Sequence, residues 1–173
     1  MTKILSILFA VACFALLSEA CFSSGGSSAP TKISKGAAIA KTADKYRSDT
    51  KWSVSSPHRV GIGKDKCNIF VAEVIEEAGA TVPHRHWWWS PIGAGEWGNP
   101  SSTYLTKDNC WTRVTSPQNG DVAGGHGHVA IVTGSSQTTG ATSDMIVKGN
   151  WGFDYRTVKP KPRFAEAFWR YTC

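Results

Sequence analysis

The sequence lacks several features that would assign it to particular classes of protein. Beyond its N-terminal segment, no apolar run is long enough to cross a bilayer, so a stably inserted membrane domain is not predicted. Lysine and arginine form no cluster, and no internal repeat is present, which disfavours a repeat architecture. The length of 173 residues suits one domain with its own core.

The N-terminus has the pattern of a secretory signal peptide. Lys3 precedes an apolar run from Ile4 to Leu17, which is too short for a confident membrane span. Small residues at Ser18 and Ala20 fit a signal-peptidase site just before Cys21. We therefore predict a secreted, extracellular protein.

Composition divides the remaining chain into two parts. Residues 1–20 are predicted to be the signal peptide, 21–35 a flexible leader rich in serine and glycine, and 36–173 a single domain.

The net charge of +6 favours anionic partners such as bacterial cell wall, anionic membrane or nucleic acid. Secretion argues against nucleic acid, and a solvated basic surface would explain the charge equally well.

One stretch, from Asp65 to Gly79, reads as an amphipathic helix with a cysteine in its first turn. Asp65 is a candidate N-cap, and Gly79 is a candidate residue to end the helix. The apolar positions recur at spacings of three and four residues: Phe70, Val71, Val74, Ile75 and Ala78. The partial positive charge of a helix N-terminus would stabilise a Cys67 thiolate and lower its pKa. Alternatively, Cys67 is a small core residue or half of a disulfide.

Four cysteines remain after the predicted cleavage: Cys21, Cys67, Cys110 and Cys173. Secretion permits disulfide bonds. Our first candidate is a bridge between Cys110 and Cys173, although Cys21 with either of them remains open. If all four cysteines pair, Cys67 is not a nucleophile.

The loop from Val82 to Pro100 is rich in aromatic residues. Three consecutive tryptophans occupy it: Trp87, Trp88 and Trp89. Flat rings of this kind line grooves that bind sugar or peptide, or else pack the loop onto its own domain. His84 and His86 have no third ligand at a recognisable spacing, so no metal site is predicted.

A catalytic base is expected at His128, which opens a predicted strand that ends at Thr133. If Thr133 pairs with Met145 across a hairpin loop of residues 134–143, His128 faces Asn150 directly. An asparagine in that position would orient the imidazole ring.

Other polar residues compete for these roles. His126 is a second candidate base, but it lies within a glycine-rich turn. Asp154 is the reserve candidate for the third catalytic position. Asp121 is either structural or part of the site.

These residues together resemble the papain-like NlpC and CHAP peptidoglycan amidase superfamily. The resemblance covers roughly residues 60–155 and is carried by the order of the motifs: a helix that begins at Cys67, then Gly127 to Val132, then Gly149 to Trp151. The chain is most similar to the type VI secretion amidase effectors and their secreted eukaryotic relatives, the domesticated amidase effectors. Many CHAP members carry Glu two residues before the Asn, where this chain has Lys148.

The resemblance implies an α+β fold in which the nucleophile helix packs on a central antiparallel β-sheet. It implies Cys67 as nucleophile, His128 as base and Asn150 as the third catalytic residue, with Trp151 added to the predicted substrate-binding tryptophans. The implied activity is antibacterial hydrolysis of a peptide-stem or cross-link amide in peptidoglycan, by a monomer that needs no cofactor. The alternative is a noncatalytic secreted protein that binds cell wall or glycan.

Overall fold

Two eleven-residue helices and a six-stranded sheet form the framework of the molecule. The computed structural model describes residues 34–86, 90–157, 159 and 164–173, all within the unit Lys32–Cys173. The helices are α1 (Lys35–Lys45), α2 (Cys67–Glu77), α3 (Ala94–Gly98) and α4 (Thr103–Thr106). The strands are β1 (His84–His86), β2 (Ser90–Pro91), β3 (Trp111–Val114), β4 (Val122–Gly125), β5 (His128–Gly134), β6 (Gln137–Ala141), β7 (Ile146–Asn150) and β8 (Ala167–Tyr171).

The main sheet has the strand order β3-β8-β4-β5-β6-β7, and every pairing in it is antiparallel. Strands β1 and β2 form a separate antiparallel pair. The predicted α+β class with an antiparallel sheet is therefore confirmed. The predicted signal peptide lies outside the described residues, as does the leader up to residue 33. Among the described residues, no helix is both long enough and apolar enough to span a bilayer.

Helix α2 contributes more buried residues to the core than any other described helix. Five of its side chains are almost completely buried: Phe70, Val71, Ala72, Val74 and Ile75. As predicted, the helix ends at Gly79, which has a φ of 74°. The Gly79 N–H donates to the Glu76 carbonyl, and the Ala80 N–H donates to the Ile75 carbonyl. This is the Schellman pattern. The predicted N-cap was wrong by one residue, because Lys66 occupies that position and makes no side-chain cap bond.

Two predictions about the strands were wrong. Residues 134–143 do not form a hairpin loop, because they contain β6, which lies between β5 and β7. The predicted glycine-rich turn around His126 does not include Gly124 and Gly125, which belong to β4, because the chain turns at His126 and Gly127. Both turn residues have positive φ, 50° and 74°, as a tight two-residue hairpin requires.

The central strands β4 and β5 are buried on both faces. One face packs against α1 and α2 in a large apolar cluster that includes Val129 and Ile131 of β5. The other face holds a smaller cluster of Ala123, Val132 and Phe168. Because both faces are covered, β5 is a continuous apolar run rather than an alternating one.

The predicted disulfide between Cys110 and Cys173 is present and links two residues that are 63 positions apart in the sequence. It joins the start of β3 to the chain end after β8, where the Thr172 N–H also donates to the Cys110 carbonyl at 2.8 Å. Among the described residues, Cys67 is the free cysteine. Cys21 lies outside them.

Gly124 offers a test of the packing between β4 and α3. A Cβ at Gly124 would lie 2.4 Å from the Trp97 carbonyl carbon, which is backbone and cannot move aside cheaply. We expect Gly124→Ala to lower the free energy of unfolding by about 1–3 kcal/mol in urea denaturation. Gly95→Ala in α3, where nothing lies within 4 Å, is the control and should be neutral or slightly stabilising. Equal stability of the two variants would contradict the close approach.

Candidate active site

Cys67 is the first residue of α2, and its side chain is mostly buried. It lines a cleft of about 310 Å³ whose walls also include Asp65, Lys66, His128 and Tyr155. The cleft lies where the N-terminus of α2 meets the start of β5, because α2 packs on that strand. The two residues predicted to be nucleophile and base therefore share one cavity.

The electrostatics of the thiol differ from the prediction. Burial raises the pKa of Cys67 above its ordinary value, and the charge of Asp65 adds to this effect. Hydrogen bonds from the backbone N–H groups of Val129 and Asn68 favour the thiolate but do not reverse the shift. The expected lowering of the pKa by the helix N-terminus is therefore outweighed by desolvation, and the resting thiol is protonated at neutral pH.

His128 is also in an uncharged state. Its ring packs edge-on against Phe153, with the centroids 4.8 Å apart, and against Tyr155 at 5.6 Å. Burial lowers the pKa of His128 to about 4, although the charge of Asp65 opposes this. A neutral imidazole at pH 7 is the form that can accept a proton.

Tyr155 is the residue that the sequence reasoning missed. Its hydroxyl is hydrogen-bonded to Nε2 of His128. Burial raises the pKa of this phenol far above its ordinary value, and the charge of Cys67 raises it further. Tyr155 therefore remains protonated and can either donate to the imidazole or accept from it.

Small residues on three neighbouring strands make room for Tyr155. A Cβ at Gly149 would lie 2.6 Å from its ring carbon Cδ1. A Cβ at Gly140 would lie 3.3 Å from its hydroxyl oxygen and 2.8 Å from the Cβ of Ala130. The Tyr155 ring thus packs over the small residues Gly149 and Gly140, and its hydroxyl reaches His128. Gly149, on the predicted partner strand of His128, was the available sequence signal, since glycine inside a strand often marks a close approach; Gly140 was predicted to lie in a loop.

Asn150 does not contact His128, so this prediction was wrong. Strand β6 lies between β5 and β7; Asn150 pairs with Gln137, and His128 pairs with Gly125 of β4. The buried Asn150 amide instead donates to the Thr157 carbonyl at 3.0 Å. Its side-chain oxygen accepts from the Gly152 N–H at 2.8 Å and from the Asp154 N–H at 3.4 Å. Asn150 therefore shapes the loop that carries Tyr155.

The other predicted site residues have separate positions. Asp121 forms an ion pair with Arg170 at 2.7 Å, does not line the cleft of Cys67, and is structural. Trp151 packs on Phe168, with the centroids 5.3 Å apart, and does not line the cleft of Cys67. His126 lies in the tight turn with its side chain exposed. Trp87, Trp88 and Trp89 lie outside the described residues, so their role in binding stays a prediction.

Lys66 precedes the nucleophile and is buried at 2% exposure. Its ammonium donates to the Ser53 carbonyl at 3.0 Å and to the Lys64 carbonyl at 2.9 Å. A buried cation needs such partners, because an unpaired charge away from water is costly. These bonds fix the segment before α2 and hence the entry to the cleft.

No metal cluster is found in the part of the chain that the structure describes. His84 lies 3.5 Å from Glu76, an arrangement that makes an ion pair if the histidine is protonated.

Comparison with protein-family models, with curated proteins and with solved structures finds no match for this chain. The interpretation of the site therefore depends on its own geometry.

The buried neutral state of His128 makes a prediction for stability. Its folded pKa of about 4 lies below the ordinary value of 6.5, so between these pH values the unfolded chain binds a proton that the folded chain excludes. The free energy of unfolding should therefore fall as the pH drops from 7 to 4, with about 3 kcal/mol contributed by this residue.

Urea denaturation of His128→Gln at several pH values is the measurement. The variant should lose this part of the pH dependence, whereas the control His126→Gln, at an exposed position, should keep it. Identical pH profiles for the two variants would contradict a buried, uncharged His128.

Proposed function

We propose that this chain is a secreted, antibacterial cysteine hydrolase that cleaves a peptide-stem or cross-link amide of bacterial peptidoglycan. The observation that carries the proposal is the shared cleft, in which free Cys67 begins α2 and His128 begins β5. A nucleophile and a neutral base that line one cleft are the minimum needed for covalent catalysis of acyl transfer. The position of a nucleophile helix against an antiparallel sheet is also what a papain-like architecture requires.

The reaction needs no group beyond the chain itself and water. His128 takes the thiol proton as Sγ of Cys67 attacks the amide carbonyl, which forms a C–S bond and an oxyanion. The N–H groups in the first turn of α2 lack an intrahelical partner, and in the resting site that of Asn68 donates to the sulfur; on attack these groups would donate to the oxyanion instead. His128 then returns the proton to the leaving amine as the C–N bond breaks. Water hydrolyses the thioester to a carboxylic acid and regenerates the thiol.

The hydrogen bond with Tyr155 assigns different roles to the two nitrogens of His128. Because Nε2 is engaged by the Tyr155 hydroxyl, Nδ1 is the nitrogen left to exchange a proton with Cys67. In the productive tautomer, Nε2–H donates to the phenol oxygen and Nδ1 carries the lone pair. Tyr155 thus has the orienting role that the resemblance assigned to Asn150.

The surroundings of the site favour a wall substrate over a small metabolite. The net charge of +6 attracts the protein to an anionic wall, and this attraction weakens as salt screens it. The disulfide between Cys110 and Cys173 suits an oxidising, extracellular compartment. Both features are also compatible with a noncatalytic wall-binding protein, so the test must detect a reaction product.

The proposal predicts hydrolysis that depends on Cys67. Purified muropeptides from lysine-type and diaminopimelate-type walls would be incubated with the wild-type protein and with Cys67→Ala, and products identified by mass spectrometry. Wild type should yield fragments whose summed mass exceeds the substrate by one water, and Cys67→Ala should yield none. Circular dichroism and wall pull-down would verify that the variant is folded and still binds. Equal hydrolysis by both proteins, or none by a folded wild type, would refute the assignment.

Tyr155→Phe should slow the reaction without removing the nucleophile. The phenylalanine keeps the packing on Gly140 and Gly149 but leaves Nε2 of His128 without its partner. We expect kcat to fall about tenfold, which corresponds to one hydrogen bond worth roughly 1.4 kcal/mol, with little change in KM. Tyr104→Phe, at a partly exposed position in α4, is the matched control. An unchanged kcat for Tyr155→Phe would remove Tyr155 from the mechanism.

A further inference from the structure

The cleft that holds the nucleophile and the base is lined by one exposed charge among the described residues. Asp65 lines it and is exposed to solvent. Lys66 lines it too, but its side chain is buried and its ammonium is bound to two backbone carbonyls. Cys67, His128 and Tyr155 are uncharged at pH 7, and the other lining residues that the structure describes carry no charge. The surface of the cleft is therefore negative, although the chain has a net charge of +6.

The Asp65 side chain has no structural partner in the part of the chain that the structure describes. It does not cap α2, because Lys66 occupies the N-cap position. Nor does its carboxylate form a hydrogen bond or an ion pair with a described residue. Asp44, Glu77 and Asp121, by contrast, each pair with a cation. The Asp65 carboxylate is therefore open to a ligand.

Asp65 also lies close to the reacting groups. Its negative charge acts on both Cys67 and His128, so the carboxylate is within electrostatic range of each. Asp65 comes two positions before Cys67, and two residues of chain span at most about 7 Å. Two residues of an extended substrate cover the same length. A group bound at Asp65 therefore belongs to a residue within about two positions of the scissile amide.

The chemistry of the carboxylate selects the kind of group that it binds. An ammonium group pairs with a carboxylate through charge-assisted hydrogen bonds. In an intact wall, the N-terminus of the stem peptide is joined to the glycan through an amide and carries no charge. The side-chain ammonium of a diamino acid that is not cross-linked remains charged, and it is the cation that a stem peptide offers.

We propose that Asp65 forms a substrate subsite that binds the side-chain ammonium of a diamino acid next to the scissile amide. The subsite makes Asp65 a determinant of the choice between stems with a free diamino acid and stems cross-linked through that side chain. This inference rests on the proposed function, but it is tested by binding, independently of hydrolysis.

The experiment uses two synthetic stem peptides that differ at one group: acetyl-L-Ala-γ-D-Glu-L-Lys-D-Ala and the same peptide acetylated at the lysine Nζ. Their affinities for the full chain would be measured by calorimetry in a Cys67→Ala background, which prevents turnover. We expect the ammonium probe to bind about fivefold more tightly, the effect of one exposed ion pair, with a smaller preference at high salt. Asp65→Asn should remove the preference and leave affinity for the acetylated probe unchanged.

Two variants and a third probe isolate the cause. Asp65→Glu keeps the charge and should retain part of the preference. Asp144→Asn changes another exposed aspartate, which does not line the cleft and whose carboxylate has no described partner, so it should behave as the parent. The third probe has a free N-terminus and an acetylated lysine. It should bind no more tightly than the doubly acetylated peptide, and tighter binding would overturn the assignment to the side chain.

The reactivity of the thiol tests the position of Asp65 without any peptide. Because the charge of Asp65 raises the pKa of Cys67, Asp65→Asn should speed alkylation of Cys67 by iodoacetamide at pH 8 about threefold. Asp144→Asn should react at the wild-type rate, and peptide mass spectrometry separates Cys67 from the other cysteines. An unchanged rate for Asp65→Asn would place its carboxylate away from the thiol and overturn the subsite.

The binding results separate the subsite from the proposed activity. A preference that survives Asp65→Asn, an equal loss in Asp144→Asn, equal affinity of the parent for the first two probes, or no binding of either would overturn the subsite. Binding of the ammonium probe without hydrolysis by the wild type would refute the proposed activity but leave the subsite intact.

Discussion

The contact between the N-terminus of α2 and the start of β5 is the constraint on which the rest of the site depends. Because α2 packs on β5, the sulfur of Cys67 lies within reach of the Val129 backbone N–H, one residue from the candidate base. The tight turn at His126 and Gly127 fixes where β5 begins, and Gly79 fixes where α2 ends. The positions of Cys67 and His128 are therefore set by regular elements, which favours a preorganised pair.

Burial determines the protonation states of the pair. Burial raises the pKa of the Cys67 thiol and lowers that of His128 to about 4. Both shifts oppose proton transfer from the thiol to the imidazole in the resting site. A resting thiolate–imidazolium pair is thus disfavoured, and the proposed chemistry requires proton transfer to be coupled to attack on the substrate. The same burial keeps the resting thiol uncharged until substrate arrives, and an uncharged thiol is less reactive than a thiolate.

Local sequence signals predicted the helix around Cys67, the strand that begins at His128 and the disulfide between Cys110 and Cys173. Each had a specific cause: helical spacing of apolar residues, a β-branched run after glycine, and cysteines in a secreted chain. The partner of His128 was mispredicted because β6 has a polar, threonine-rich sequence that resembles a loop. Its buried threonines hydrogen-bond to neighbouring elements: Thr138 donates to the Asn150 carbonyl of β7, and Thr139 bonds to Thr133 of β5 and donates to Asp44 of α1. Such tertiary satisfaction of polar groups is not visible in a local pattern.

The same error explains why Tyr155 was missed and what Asn150 does instead. An inserted strand moves the end of β7 away from His128, so a residue from β7 cannot orient the imidazole. A tyrosine can span this gap, provided that the strands beneath it carry almost no side chains, and Gly140 and Gly149 meet that condition. Asn150 then contributes indirectly, since its amide closes the loop from which Tyr155 reaches back. The polar residue that the motif placed beside the histidine thus supports the site through the backbone, while the orienting contact comes from an aromatic residue five positions later.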